Sequence, residues 1–580
     1  MNLSAISHRS LFADCYPRNT REVTLNIKTG KDITAVNLLF EDPYAYGISG
    51  DIHWIPRSIA MELRRELKHS YIWSVTVAPE YRRLQYCFEL FSDDEQILML
   101  EDDFYTHESL EKKGRLKQYF KFPYLNACDV IAPPAWVEDT VWYQIMPDRF
   151  CKGGNHPKRM EQKPWEDREH ITGGDFFGGD LKGITQKLPY LKELGISGIY
   201  LLPVFESNSN HKYNTFDYTR IDPDFGTEDE LKEMVKTAHD LGIRVMLDAV
   251  FNHSGTEFAP WMDVWEKGQD SAYFDWFCIH QKDFPRTWDS LRDGRFDGFA
   301  FLPSMPKLDT GNPKVQAYFA EICSYWVDAW GIDGIRFDVG NEVSHSFLKV
   351  LNGVLKGKNP ELFLLGEIWM DSAEWLRGDE YDSVMNYPYF ESLQNFWVDE
   401  DATSRDFMYA LERVYSLYPE QVNRVLFNHL DTHDTMRALT RCGSLDIFRQ
   451  QQAALLTMPG SPCIYYGTEI AMPGGHDPDC RRTMPWGKIE AGEFASHQAF
   501  TKGLITLRNE KPQLKGERIL WHHDETHPRL VCYDRPGETE TIRVYLNAAE
   551  EDIPLNANPL FSYQYENELL KAGGILICSL

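Results

Sequence analysis

Eight apolar, strand-like runs alternate with amphipathic helical segments between residues 141 and 469, and short alternating runs without helices flank them on both sides. With a length of 580 residues, more than one core usually supports, these observations predict an α/β chain. The expected architecture is a (β/α)8 TIM barrel with an N-terminal β-sandwich domain, a small subdomain inserted after barrel strand 3, and a C-terminal β domain.

Residues 1–128 carry EVTLNIKT (22–29), AVNLLF (35–40), YIWSVTVAP (71–79) and LQYCFELFS (84–92), separated by turn-rich segments. That is the pattern of a sandwich. The register changes near Ala132-Pro133-Pro134, and the barrel strands follow as VWYQIM (141–146), GISGIYLLPV (195–204), GIRVMLDAV (242–250), GIDGIRFDV (331–339), LFLLGEIW (362–369), DSVMNY (382–387), RVLFNHLDTHD (424–434) and SPCIYYGTE (461–469). Thr227 and Glu230 form a capping box ahead of a helix whose apolar stripe is Leu231, Met234, Val235, Ala238 and Leu241. Asn312-Pro313 starts another. The Trp-, Phe- and Asp-rich segment at about 254–306 is read as the inserted subdomain. After Lys511, RLVCYD (529–534) and TIRVYLNA (541–548) indicate the last β domain. The expected domains are therefore 1–128, 129–510 and 511–580.

Hydrophobic residues make up 43% of the chain and charged ones 26%, ordinary for a globular protein. The formal charge of −28 repels polyanions and argues against a nucleic-acid partner. An N-terminus without an apolar core after basic residues, and the lack of any run of about 18 apolar residues, give no membrane association and a cytoplasmic expectation. The 11 cysteines include no C-x-x-C pair and read as reduced, mostly buried thiols rather than a zinc site or a disulfide framework.

Strand alternation puts Arg336 and Asp338 on one face of GIRFDV, a cation and a carboxylate in an otherwise apolar run. A lone pair of this kind is more often a structural ion pair than a site. The balance changes at the C-terminal strand ends, where Asp248, Asn252, His253, Arg336, Asp338, Glu367, His433 and Asp434 fall from four strands. H-x-H and H-E-x-x-H do not occur at these strands, so metal hydrolysis fits poorly. Single carboxylates beside Arg or His suit glycoside hydrolysis, in which one carboxylate attacks the anomeric carbon and a carboxylic acid protonates the leaving oxygen. Arg336 on the same face predicts an Asp338 carboxyl held below its ordinary range. Glu367, among Leu, Ile and Trp, has the apolar surroundings that suit an acid catalyst.

DAVFNH (248–253), GIRFDV (334–339), GEIW (366–369) and HLDTHD (429–434) resemble, in order and spacing, the four signature motifs of the alpha-amylase family of retaining glycoside hydrolases. MPKLDT (305–310), NHKYNTFDY (210–218), SVMNYP (383–388) and SPCIYYGTEI (461–470) are similar to its cyclomaltodextrinase, neopullulanase and maltogenic amylase branch. The resemblance implies Asp338 as nucleophile, Glu367 as general acid/base and Asp434 as the carboxylate gripping sugar hydroxyls. It implies His211, Tyr213, His253, Arg336 and His433 around the cleaved sugar, Asp477 and Arg481 at the next sugars, Trp369 beyond the scissile bond, and Glu342 in acceptor handling. It further implies α-glucan oligosaccharide substrates with some transglycosylation, no cofactor, and a homodimer through the N-terminal domain.

Four departures stand out. The loop expected to bind calcium reads CKGGNHPKR (151–159), with Lys152 and Gly154 where oxygen ligands belong, so no metal is expected and the Lys152 ammonium is the expected substitute. Ser344 and Asp309 replace an expected Asp and Asn, and LDTHD replaces GSHD. The competing readings are an α-glucosidase or transglycosidase on the same scaffold, and a non-catalytic carbohydrate-binding protein.

Overall fold

The computed structural model describes residues 1–50, 54–113, 117–154, 156, 158–166, 171–281 and 294–580, so residues 282–293 of the expected inserted subdomain lie outside the described residues. The chain divides into two compact units. The first joins Met1–Ala132 with Arg405–Asn423, and the second comprises Pro133–Ser404 and Arg424–Leu580.

All four β-runs expected near the N-terminus become antiparallel strands, at Val23–Thr29, Ala35–Glu41, Tyr71–Val77 and Leu84–Phe91. They belong to two sheets, with Val23–Thr29 paired to Tyr71–Val77 in one and Ala35–Glu41 to Leu84–Phe91 in the other. The inward positions Leu25, Ile27, Leu38, Phe88 and Leu90 build one apolar core. The helix Ser404–Tyr415 contributes Glu412, whose Oε2 accepts from Arg65 Nη1 at 2.8 Å with both side chains buried.

In the second unit eight parallel strands run in the order of the chain: Trp142–Ile145, Gly198–Leu201, Arg244–Ala249, Gly334–Phe337, Phe363–Gly366, Ser383–Val384, Phe427–His429 and Ser461–Tyr465. A parallel bridge between Met385 and Phe427 closes the ring. Trp142, Tyr200, Met246, Phe363, Leu365 and Phe427 fill its interior. The strands are shorter than the apolar runs that predicted them, because each chain leaves the ladder to turn into the mouth: RVLFNHLDTHD keeps only Phe427–His429 in the sheet. Thr227 and Glu230 make their reciprocal capping box, and Asn312 caps a helix with Pro313 at its first position. Ser344 likewise caps the helix His345–Lys358 by accepting from Phe347 N–H.

A two-stranded hairpin, Phe205–Glu206 with Asp217–Ile221, was not anticipated; its long loop carries His211 and Tyr213. The C-terminal antiparallel sheet is built on Leu530–Pro536, Thr541–Asn547 and Leu569–Ser579. Among the described residues no helix is long and apolar enough to cross a membrane.

Candidate active site

Parallel register puts Asp248 on the third strand directly beside Arg336 on the fourth. Arg336 is fully buried, and its Nη1 lies 2.9 Å from both oxygens of Asp248 and from Asp338 Oδ1. Its Nη2 lies 2.9 Å from Glu367 Oε2. One planar guanidinium thus reaches three carboxylates, a geometry that a lysine point charge could not match. Tyr200 and Tyr213 donate their hydroxyls to Asp248 Oδ2, at 2.5 and 2.9 Å. The buried Asp248 is therefore fully satisfied by protein donors.

The fourth strand ends in a left-handed step at Val339, with φ of 48°, a conformation that costs a β-branched residue free energy. That step aims the Val339 N–H at Glu367 Oε2, 2.9 Å away, while Gly340 N–H reaches the Glu367 carbonyl at 2.9 Å. A Cβ on Gly340 would come within 2.8 Å of the Tyr381 hydroxyl, so glycine is required there. Trp369 Nε1 donates to Glu367 Oε1 at 3.3 Å. Asp434 stands across the cleft, 3.2 Å from Arg481 Nη2 and 3.1 Å from His433 Nε2, and Arg481 also meets Asp477 at 3.1 Å.

These groups open onto a cavity of about 520 Å³, the size of a small-ligand cleft. Asp338, Glu367 and Asp434 line it, with His211, Tyr213, His253, His433, Glu342, Trp369, Asp477 and Arg481. Asp248, Asn252 and Arg336 do not; they lie buried below it. Sequence reasoning missed the lining residues Phe299, Leu302, Met305, Asn341 and Met370. Three of these fall at the end of the aromatic-rich insertion, where composition is the only signal, and Phe299 stacks on His253 at 5.0 Å.

Burial holds all three cleft histidines neutral. His211 and His253 are each pushed down to about 3, chiefly by burial, and burial with the charges of Arg481 and Arg336 takes His433 well below the usual imidazole range. Gln144 Nε2 faces His433 Nδ1 at 3.0 Å, leaving its Nε2–H to Tyr213 and Asp434. His211 Nδ1 accepts the Tyr213 N–H, so its Nε2–H is the free donor. Neutral imidazoles with defined tautomers are suited to the hydroxyls of an uncharged sugar.

Two expectations are corrected here. Arg336 does pull the Asp338 carboxyl down, but burial, reinforced by the charges of Glu367 and Asp248, outweighs it and pushes Asp338 well above the ordinary range. The guanidinium is shared with two other carboxylates, which the strand alone does not reveal. The second concerns calcium. Asp180 accepts N–H bonds from Gly153, Gly154 and Gly183 at 2.8–3.0 Å, and Lys158 Nζ is 3.8 Å away. Lys152 instead reaches Gln162 and the Trp165 ring. The carboxylate's lone pairs are already engaged by N–H donors, so these residues do not fit a calcium ion, and the ammonium beside it is that of Lys158. Among the described residues no cluster of three or more His, Cys, Asp or Glu is placed to hold a metal ion.

A closed parallel barrel with carboxylates, neutral histidines and aromatic faces gathered at its C-terminal mouth is the architecture of a glycoside hydrolase. Residues 144–504 match the family described as "Alpha amylase, catalytic domain", and residues 1–126 match "Alpha amylase, N-terminal ig-like domain". The chain belongs to the alpha-amylase family. It is 41% identical over 565 residues to a cyclomaltodextrinase of Geobacillus thermopakistaniensis (strain MAS1), covering 96% of this chain and 94% of that protein. It is 39% identical over 553 residues to an intracellular maltogenic amylase of Bacillus subtilis (strain 168), covering 94% and 91%. The solved structure of a cyclomaltodextrinase superposes with a TM-score of 0.89 at 35% identity, covering 100% of this chain and 98% of that one.

Proposed function

We propose that this glycoside hydrolase cleaves α-1,4-glucosidic bonds of cyclodextrins and maltooligosaccharides, and also pullulan, with retention and some transglycosylation. Asp338 attacks the anomeric carbon as Glu367 gives its proton to the departing glycosidic oxygen. The resulting glycosyl ester is released when Glu367, now a base, takes a proton from water or from an acceptor sugar hydroxyl. Asp434 grips hydroxyls of the distorted ring, and His211, Tyr213, His253 and His433 surround it. Asp477 and Arg481 meet the next sugar on one side, and Trp369 with Glu342 the acceptor on the other. The carrying observation is that Asp338 and Glu367 contact neighbouring nitrogens of one guanidinium, 2.9 Å each. Two carboxylates drawn to one guanidinium support the close spacing, about 5–5.5 Å, that retention uses and inversion does not.

The relatives named cyclomaltodextrinase and maltogenic amylase support the substrate class. A relative named intracellular supports a cytoplasmic enzyme. A homodimer through the N-terminal unit is supported by its exposed Tyr44, Tyr46, Ile48 and Ile55.

Product profiling on cyclodextrin, pullulan and starch, with the anomeric configuration read by NMR, tests the reading. Retained configuration and fast turnover of cyclodextrin are expected; an inverted product sinks it. Glu367→Gln is expected to lower kcat by about 10²–10⁴-fold, and a parent that hydrolyses no faster than the variant, both at background, would instead favour a carbohydrate-binding protein.

A further inference from the structure

Trp369 is the most exposed aromatic of the cavity wall beside Glu367, 46% open, and it is tied to that carboxylate through its indole N–H. An indole this open keeps one orientation only if its other face is backed. That backing is Tyr387, 1% exposed, whose ring lies 3.8 Å from the indole centroid and within 13° of parallel. Tyr387 is itself fixed on the far side. The His429 ring meets it edge-on at 4.7 Å, and its neighbour Asn386 is anchored to Asn428 Oδ1 at 2.8 Å and caps the helix Tyr387–Val398.

We propose that Tyr387 is a positioning residue for acid catalysis: it sets the plane of Trp369, and Trp369 holds Glu367 Oε1 toward the departing oxygen. Val339 N–H and Arg336 hold Oε2, so the indole is the hydrogen-bond donor at Oε1 among the described residues. Without the flat backing the indole swings into the cleft, and the carboxyl loses one of its two fixed ends. Stacked aromatic rings carry an attraction that a branched aliphatic of similar volume does not reproduce. The hydroxyl of Tyr387 has no part in this, so phenylalanine should serve.

The inference rests on Glu367 being the acid, and the experiment separates the two. Hydrolysis of maltotriose needs a proton on the leaving oxygen, whereas α-maltosyl fluoride releases fluoride without one. Glu367→Gln must therefore lose maltotriose turnover and keep kcat/KM for the fluoride, which reports formation of the glycosyl ester alone and not its release by the base; if it does not, the reading of Glu367 is what fails. Given that control, Tyr387→Leu is expected to lower kcat on maltotriose about tenfold or more with KM changed less than threefold, and to leave kcat/KM for the fluoride within about threefold. Tyr387→Phe is expected to match the parent. In a Trp369→Ala background Tyr387→Leu should cost nothing further, the signature of two residues acting as one. An equal loss on both substrates, an undiminished loss in the Trp369→Ala background, or no loss at all overturns the proposal. Should Tyr387→Leu not fold, Trp369→Ala reads the Trp369–Glu367 link: its loss on maltotriose must fall on kcat with KM changed less than threefold, and kcat/KM for the fluoride must be kept, whereas a loss carried by KM overturns the proposal.

Discussion

Asp338 is held at a cost to the folded state. Its carboxyl is pushed well above its ordinary value of 3.8 by burial and by neighbouring carboxylates, so the folded protein binds this proton more tightly than the unfolded chain does. The sign follows: stability falls as pH rises from about 3.8 through the raised value. Asp338→Asn is therefore expected to be more stable than the parent at pH 7, by roughly 0.5–2 kcal/mol, and calorimetry below pH 4 should show the difference closing. The same shift sets activity. The nucleophile must be ionised, so the acid limb of kcat/KM is expected above the ordinary aspartate range, and an acid limb at or below pH 3.8 would contradict it. His211 and His253, at about 3, are already neutral there and do not contribute to that limb.

Loops, more than strands, distinguish this chain at the level of elements. Lys158 donates to the Asp224 carbonyl and lies beside the buried Asp180, which caps the helix Leu181–Leu194. Arg159 and Lys212 neutralise Asp222 and Asp224 next to it. These cations tie the 151–159 loop to the barrel, so Lys158→Ala is expected to lower unfolding stability by about 1–3 kcal/mol. Calcium or a chelator should leave the parent's melting temperature unchanged, and a rise with calcium would show that the carboxylates still take the ion. The CKGGNHPKR spelling pointed to an ammonium in this loop but to the wrong lysine, because two lysines six residues apart in a loop are indistinguishable without its turn. The hairpin at 205–221 was unreadable for a related reason: two-residue and five-residue strands carry too little alternation to register.

The chain as a whole does not follow its linear order, since residues 405–423 fold with the N-terminal unit although they lie between the sixth and seventh barrel strands. The buried Arg65–Glu412 pair is part of that association. Removing one member of a buried pair leaves the other charge poorly compensated, so Arg65→Met is expected to cost about 3 kcal/mol in denaturant unfolding. A loss below about 1 kcal/mol would show the pair to be incidental. The proposed dimer is tested by sedimentation at micromolar concentration: a two-chain species is expected, and its loss on replacing Ile48 and Ile55 by charged residues would assign the surface.

By itself the sequence determined the class, the eight strands and the carboxylates at their ends, because apolar periodicity and strand alternation are local and survive in the linear order. Only the tertiary structure decided how those groups are shared. Arg336 divides itself among Asp248, Asp338 and Glu367, Asp248 sinks beneath the cleft, and Tyr387 comes to lie against Trp369 from 18 positions away. Ionisation and orientation are sums over neighbours in space, and closing the barrel supplies neighbours that no stretch of chain contains.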